Sequence, residues 1–205
     1  MMKLILFDFD GTIADSLEAI VNITNTFSER YKFRKITLDK IEDLRNKSFT
    51  QVFKDVGLKF VKAPFLIRRV KKEFEHEIDN IKIYPGIKPV LKELSKTYKL
   101  GILTNNTKKN VESFLLKNDL EMFSLIYDAG FFSKARKLKR ISRIEKIPLD
   151  KIIYVGDEIR DIKACKKAGV QIIAVTWGFN SKRRLKIEKP DYMVDNAKDI
   201  LKILK

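Results

Sequence analysis

The sequence predicts an α/β fold, in which a parallel β-sheet carries helices on both faces and one all-helical insert interrupts the alternation near the start. Three observations support this prediction. Short unbroken apolar runs of strand length recur along the chain, amphipathic helical patterns separate them, and residues 17–83 contain helical patterns without a buried-strand run. Strands that alternate with helices are typical of βαβ units, which build parallel sheets.

Five apolar runs predict the strands of the sheet. Continuous stretches of Val, Ile, Leu and Phe suit strands that are buried on both faces. These runs cover residues 3–7, 99–103, 125–127, 151–155 and 171–175. Helical spacing of apolar residues separates them around residues 87–94, 111–115, 135–144 and 162–168. Gly169 is a suitable residue to end the last of these helices.

The helical insert, residues 17–83, breaks the alternation. Its apolar spacing predicts one amphipathic helix over residues 17–31 and shorter ones around residues 38–44, 49–56 and 65–78. Tyr84-Pro85-Gly86 then marks the return to strands and helices. We therefore expect a core built from residues 1–16 and 84–205.

The charge of the chain is strongly positive. Its 205 residues include 43 Lys and Arg against 27 Asp and Glu, a formal net charge of +16. Clustered positive charge can bind nucleic acid through counterion release. The excess here is spread along the chain, however, and net charge argues for solubility and association, not for a specific partner. We therefore expect no nucleic-acid partner.

Cysteine content and hydropathy limit the cellular compartments in which we expect the protein. The only cysteine, Cys165, cannot form an internal disulfide, which fits a reducing compartment. No segment approaches the roughly 18 apolar residues of a membrane helix, and the first apolar run reaches Asp8 too soon for a signal peptide. We expect a cytoplasmic protein with no membrane partner, and the sequence leaves monomer and homodimer open.

Two carboxylates follow the first predicted strand. Asp8 and Asp10 are two residues apart, so on an extended chain they point the same way. Gly11 permits a sharp turn directly after them. Like charges held close together need a cation or a shared proton, and Mg²⁺ prefers oxygen ligands. A carboxylate can also act as a covalent nucleophile through an aspartyl-phosphate.

Other polar side chains follow the later strands at the same expected edge of the sheet. Thr104 and Asn105 precede a helix whose N-terminus suits an anion such as phosphate. Asp157, Glu158 and Asp161 follow the fourth run and add a second acidic cluster. Together with Lys134, at the head of the third core helix, these residues indicate Mg²⁺-assisted phosphoryl transfer to an aspartate.

These motifs carry a resemblance to a known family. The run Asp8-Phe9-Asp10-Gly11-Thr12 resembles the first motif of the haloacid dehalogenase-like superfamily, Thr104 stands where that family has Ser or Thr, and Gly156-Asp157 through Asp161 resembles its fourth motif. The closest subgroup is similar to the phosphoglycolate phosphatase-like enzymes with a helical cap. The resemblance implies a Rossmann-like α/β core, with residues 17–83 as the cap.

The resemblance also implies a role for each matching residue. Asp8 attacks phosphorus, and Asp10 protonates the leaving group and then activates water. Asp8, Asp157 and the main-chain carbonyl of Asp10 bind Mg²⁺. Thr104, the amide of Asn105 and Lys134 hold the phosphoryl group, whereas Asp161 and Glu158 orient the metal shell. The family's loop similar to Trp177-Gly178-Phe179 lies near the site rim, and the sequence leaves substrate contact and aromatic packing equally open.

The third motif departs from the family pattern, in which Lys-Pro is common. Lys134, Lys137 and Lys139 compete for the role of the active-site lysine. We favour Lys134, because it falls directly after the predicted strand at 125–127, whereas the other two fall on outer helix faces.

The function predicted from the sequence is a Mg²⁺-dependent phosphatase that acts on a small phosphorylated metabolite, with phosphoglycolate as the default. Alternatives within the superfamily are a phosphosugar mutase and a pyrophosphatase or nucleotidase. A basic nucleic-acid-binding protein with a vestigial phosphatase fold is an alternative of another class. The sequence names neither the substrate nor the residues that select it.

Overall fold

A six-stranded parallel sheet forms the centre of the molecule in the computed structural model, which describes residues 3–130 and 134–204. The strands of the described residues are β1 (Leu4–Phe7), β2 (Ala14–Asp15), β3 (Lys82–Ile83), β4 (Lys99–Thr104), β5 (Phe123–Asp128), β6 (Ile152–Gly156), β7 (Gln171–Val175) and β8 (Tyr192–Val194). The order across the sheet is β5-β4-β1-β6-β7-β8, and every neighbouring pair is parallel. The predicted α/β fold with a parallel sheet is confirmed.

Helices cover the sheet and fill the insert. In chain order they are α1 (Leu17–Thr26), α2 (Ser28–Tyr31), α3 (Ile41–Arg45), α4 (Phe49–Val56), α5 (Ala63–Glu77), α6 (Ile87–Leu94), α7 (Lys108–Lys117), α8 (Lys134–Glu145), α9 (Ile159–Ala168), α10 (Lys182–Ile187) and α11 (Asp199–Leu204). The first five lie in the helical insert, and the others alternate with strands. Each helix in the described part of the chain is too short or too polar to cross a membrane.

Alternate residues of β1 build the two faces of the core. Ile5 and Phe7 point into a cluster on one face, and Leu4 and Leu6 into a cluster on the other. All four side chains are fully buried, as expected for a central strand of a sheet covered on both sides. Helices α6, α7 and α11 contribute to the first cluster, and α8 and α9 to the second. Cys165 belongs to the second cluster.

A short antiparallel ribbon connects the insert to the core. Ala14 pairs with Ile83 and Asp15 with Lys82, so the chain leaves and re-enters the core side by side. The sequence did not predict this ribbon, because two-residue strands carry no periodic signal.

Most predicted elements are confirmed, and two predictions need correction. All five apolar runs are strands, but the edge strand β8 was missed, because its three residues follow Lys189-Pro190-Asp191 and are only partly buried. The single helix expected over residues 17–31 is wrong, since it breaks at Phe27 into α1 and α2. Thr26 Oγ1 donates to the carbonyl of Ile23 at 2.7 Å there, a local bond that competes with regular helix geometry.

The helical insert has a small apolar cluster of its own. Its buried members are Phe33, Phe53, Leu58, Ala63 and Leu66. Other large apolar side chains remain on the surface, among them Phe60, Val61 and Phe65. The insert therefore holds fewer buried apolar side chains than either face of the sheet.

Candidate active site

The ends of four strands bring together the side chains that the sequence singled out. Asp8 and Asp10 follow β1, Thr104 ends β4, and Asp157 follows β6. Lys134 is the first residue of α8, the helix after β5. These residues become neighbours because β1 lies between β4 and β6, and the carboxyl ends of parallel strands share one edge of the sheet.

Lys134 joins Asp8 to Asp161 in a buried triplet. Its Nζ atom lies 2.5 Å from Asp8 Oδ2 and 2.5 Å from Asp161 Oδ1. The same Nζ lies 5.2 Å from the centroid of the Tyr154 ring. Each side chain of the triplet is at most 7% exposed, so water screens these charges little.

Of the three candidate lysines, the structure brings Lys134 to Asp8. Lys137 is half-buried, with its Nζ 5.9 Å from the centroid of the Tyr127 ring. Lys139 is exposed on the outside of α8. The residues immediately before Lys134, 131–133, lie outside the described residues.

Burial and neighbouring charge shift the pKa values of the triplet in opposite directions. Burial raises the pKa of Asp8 and that of Asp161, the latter to about 7, although the ammonium of Lys134 opposes both shifts. Burial favours neutral Lys134, but the carboxylates of Asp161 and Asp8 outweigh it and raise the pKa of the lysine above its ordinary value. The lysine therefore stays charged, and the two carboxyl groups compete for one cation.

Asp157 is fully buried and accepts hydrogen bonds on both oxygens. Thr12 Oγ1 donates to its Oδ1 at 2.6 Å, and the N–H of Phe179 donates to its Oδ2 at 2.7 Å. Two glycines make room for it. A Cβ atom on Gly11 would lie 2.2 Å from Asp157 Oδ2, and a Cβ atom on Gly178 would lie 2.3 Å from the same oxygen.

Asp8, Asp157 and Asp161 form a cluster that suits a hard divalent cation. One carboxylate oxygen from each of the three buried residues lies within 4.8 Å of the others. Burial, together with the charges of Glu158 and Asp8, raises the pKa of Asp157 well above its usual range. A divalent cation offsets such crowded negative charge, and Mg²⁺ takes oxygen ligands of this kind. The residues present therefore fit the expected metal.

Asp10 has a different environment from Asp8. Its Oδ1 accepts a hydrogen bond from Ser16 Oγ at 2.8 Å, and its Oδ2 accepts one from Asn106 Nδ2 at 3.0 Å. Both donors are neutral. Burial raises the pKa of Asp10 to about 6 even though these hydrogen bonds oppose the shift. A carboxyl group with this pKa can gain or lose a proton near neutral pH, as an acid–base group must.

The turn from β4 into α7 supplies the neutral polar groups. Thr104 Oγ1 accepts the N–H of Asn106 at 3.0 Å, and Asn106 Oδ1 accepts the N–H of Thr107 at 2.8 Å, which directs the Asn106 amide group toward Asp10. Thr104 is buried, and both it and Asn105 border the central cavity. Asn105 Oδ1 is buried without a hydrogen-bond partner in the described part of the chain.

Glu158 contacts the acidic cluster through its backbone. Its N–H donates to Asp161 Oδ2 at 3.1 Å at the start of α9. Its carboxylate accepts a hydrogen bond from Arg160 Nε at 3.0 Å. Burial opposes ionisation, but the guanidinium of Arg160 holds the pKa of Glu158 below its usual range. Glu158 thus remains charged beside the cavity.

Sequence reasoning missed four groups that contact the acidic side chains. Ser16 and Asn106 hold Asp10, whereas Thr12 and the N–H of Phe179 hold Asp157. Hydroxyl residues close to the first motif were a signal for Thr12 and Ser16. Asn106 carries no such signal, because its donor role depends on a contact between the ends of β1 and β4 that no local pattern reveals.

A cavity of about 220 Å³ opens over these residues. The core provides its polar floor, which includes Asp8, Asp10 and Thr104. The helical insert provides most of the opposite wall from α1, α4 and α5. Arg45 of the insert also reaches the core, since its Nη2 donates to the carbonyl of Thr176 at 2.7 Å.

Comparison with known proteins gives the class of the protein. The family model described as haloacid dehalogenase-like hydrolase matches residues 5–175. A phosphoglycolate phosphatase of Synechococcus elongatus is 32% identical over 98% of this chain and 96% of its own length. Pyrophosphatase PpaX of Bacillus mycoides is 27% identical over 98% of this chain and 95% of its own length.

A solved structure agrees with the fold. A haloacid dehalogenase-like family hydrolase from Streptococcus pneumoniae superposes with a TM-score of 0.84 over 100% of this chain and 99% of its own, at 23% identity. This chain belongs to the haloacid dehalogenase-like hydrolase family. The resemblance drawn from the motifs, the Rossmann-like fold and the assignment to the family's phosphatases are confirmed.

Proposed function

We propose that the protein hydrolyses a phosphate monoester of a small metabolite in a Mg²⁺-dependent reaction through an aspartyl-phosphate on Asp8. One observation carries this proposal. Asp8 and Asp10 border the same cavity, yet Asp8 contacts the cation Lys134 and the acidic cluster, whereas Asp10 is held by neutral donors. Two carboxyl groups in different environments suit two different roles.

The two carboxyl groups divide the chemistry. Asp8 attacks phosphorus, the ester P–O bond breaks, and Asp10 gives its proton to the leaving oxygen. Asp10, now a carboxylate, takes a proton from water, and that water attacks phosphorus. The bond between phosphorus and the Asp8 oxygen then breaks, which releases inorganic phosphate and restores Asp8.

The remaining residues position the phosphoryl group and the metal and neutralise negative charge. Thr104, the N–H of Asn105 and Lys134 bind phosphoryl oxygens. Asp8, Asp157 and the main-chain carbonyl of Asp10 are the expected ligands of Mg²⁺, which offsets phosphoryl charge when bound. Asp161 and Glu158 support this arrangement, Asp161 through its contact with Lys134 and Glu158 through its N–H to Asp161.

The helical insert acts as a cap over this floor. We take residues 17–83 as the cap and residues 1–16 and 84–205 as the core, and the β2–β3 ribbon that joins them supports this division. A cap that closes over the cavity excludes water from the reacting groups and contacts the leaving group. The reducing conditions of the cytoplasm suit the free, buried Cys165.

The decisive test traps the intermediate. Asp10→Asn should react with para-nitrophenyl phosphate, whose leaving group needs little protonation, and should then accumulate a phosphorylated enzyme. Intact-mass spectrometry and peptide mapping after acid quench should find one added phosphoryl group on Asp8. Asp8→Asn in the Asp10→Asn background is the matched control and should take up none. A phosphoryl group on any other residue would refute the mechanism.

A substrate panel then orders the candidate reactions. Phosphoglycolate and pyrophosphate come first, because they correspond to the names of the two relatives; sugar phosphates and nucleotides follow. Phosphate release with Mg²⁺, but not with excess EDTA, supports a metal-dependent phosphatase. A sugar phosphate that isomerises without phosphate release would instead indicate a mutase.

A further inference from the structure

We infer that the preferred substrate of this site, given the function proposed above, is a phosphate monoester with an extended apolar leaving group. The leaving group occupies the half of the cavity opposite Asp8 and Asp10. Chemistry at the floor is unchanged: the bond between phosphorus and the alcohol oxygen breaks, and Asp10 protonates the departing alcohol.

The wall that faces the floor is mainly apolar. It is formed by side chains on three helices of the insert, among them Ile20, Val21, Val52, Ile67 and Val70. Polar atoms at this end are few, so a leaving group with hydroxyl or carboxylate groups would lose its hydration without compensating hydrogen bonds. An apolar leaving group instead gains free energy by covering the wall.

The basic side chains of this cavity do not change that balance. Arg45 is paired with Glu42, Lys47 with Asp55, and Arg160 with Glu158. Lys71 is the basic lining residue for which the described residues provide no acidic partner within ion-pair distance. Among the residues that line this cavity, it is therefore the side chain that could favour an anionic leaving group instead.

A second cavity extends the apolar wall outward. It has a volume of about 590 Å³ and lies between α4 and α5. The two cavities share Phe49, Phe53, Ile67, Lys71 and Arg160, so they adjoin at these side chains. Phe60, which is 60% exposed, lines the outer one. Together they reach the range of roughly 300–1,000 Å³ that is typical of pockets for larger organic ligands.

A series of n-alkyl phosphates tests the inference directly. Methyl, butyl and octyl phosphate have leaving alcohols of similar acidity, so differences in kcat/KM report contacts of the chain. Burial of one methylene can raise kcat/KM about fourfold at most, and we expect at least about a tenfold rise from methyl to butyl phosphate, with a further rise to octyl phosphate below its micelle concentration. A flat or falling series, measured on an enzyme that hydrolyses methyl phosphate or phosphoglycolate in an Asp8-dependent way, would overturn the inference.

Variants locate the effect on the wall. Ile67→Asp places a charge at the junction of the two cavities and should reduce the ratio of kcat/KM for octyl over methyl phosphate by about tenfold or more. Arg69→Gln, on the exposed side of the same helix, is the matched control and should keep the wild-type ratio. An equal ratio in the wild type and in Ile67→Asp would contradict the proposed path of the chain.

Lys71→Met decides between apolar and anionic leaving groups. If the site prefers an apolar leaving group, the variant retains or raises kcat/KM for octyl phosphate and loses activity on phosphoglycolate. The inference is wrong if phosphoglycolate is the better substrate of the wild type, and a reversal of that order in Lys71→Met would then assign the preference to this lysine. Failure of the whole proposed function looks different, since no ester would then be hydrolysed in an Asp8-dependent way.

Discussion

The two ends of the central cavity are built in opposite ways. At the core end, strand termini hold charged side chains that bind one another tightly, as in the contacts of Lys134 with Asp8 and Asp161. At the insert end, helices α1, α4 and α5 present apolar side chains, whereas Lys47 pairs with Asp55 inside the insert and Arg45 donates to the carbonyl of Thr176. A substitution at the core end leaves a buried charge without its partner, whereas a substitution at the insert end alters the shape and polarity of the cavity. In the proposed mechanism, substitutions at the core end would therefore affect catalysis, and substitutions at the insert end would affect the choice of substrate.

The largest effect should come from the carboxylate on the floor. Asp8→Asn should lower kcat/KM by at least about 10⁴-fold, because an amide is no nucleophile for phosphorus. The variant should remain folded, since it removes one of three crowded carboxylates. Steady-state phosphate release and circular dichroism measure both outcomes. Asp150→Asn, on an exposed acid far from the cavity, is the control; if Asp8→Asn retained most of the activity, the core end would not be the catalytic end.

Removal of the cation of the triplet should affect activity and stability together. Lys134→Met leaves Asp8 and Asp161 buried without their partner, which should lower the free energy of unfolding by about 3–5 kcal/mol in the absence of metal. Activity should fall by at least about 10²-fold, because the nucleophile and the phosphoryl group lose their positioning. Urea unfolding with EDTA and phosphate release measure the two effects. Lys137→Met is the matched control, and equal losses in both variants would refute the special position of Lys134.

Substitution of a tightly enclosed glycine should have a smaller effect, on stability and on the Mg²⁺ requirement. Gly11 and Gly169 both have φ +78°, yet only Gly11 would place a Cβ atom against Asp157. Gly169→Ala should cost about 1–2 kcal/mol from backbone strain alone, and Gly11→Ala should cost about 1–3 kcal/mol more from overpacking. Gly11→Ala should also raise the Mg²⁺ concentration needed for half-maximal activity. Unfolding curves and metal titrations compare the pair; a metal requirement unchanged from the wild type would contradict our placement of the ligands.

The smallest effect should arise where the insert meets the core. Arg45→Ala removes the donor to the carbonyl of Thr176, which should raise KM about 3–10-fold with little change in kcat, as expected for loss of uniform binding. Stability should change by no more than about 1 kcal/mol, since the partly exposed ion pair with Glu42 contributes little. Arg34→Ala, which removes a donor to the carbonyl of Asp55 inside the insert, is the control for the kinetic measurement. A large fall in kcat would mean that the insert takes part in the chemistry.

Local patterns predicted most of the fold. The run before Asp8 has the apolar continuity of a buried strand, and β1 is fully buried. Patterns of two or three residues gave no such signal, which is why the β2–β3 ribbon and β8 were missed. The break at Phe27 was missed for a different reason. The helical spacing of apolar side chains continues across Phe27, although the backbone leaves helical geometry there.

The sequence by itself determined that strands and helices alternate and that Asp8, Asp10 and Asp157 follow strands, because period and position are properties of neighbouring residues. Only the tertiary structure decided which lysine meets Asp8 and that Asn106 holds Asp10. It also decided that Thr12 reaches Asp157, 145 residues away, and that the insert closes an apolar wall over a charged floor. Those contacts depend on the order of strands in the sheet and on how the insert packs against the core, and no local pattern encodes either.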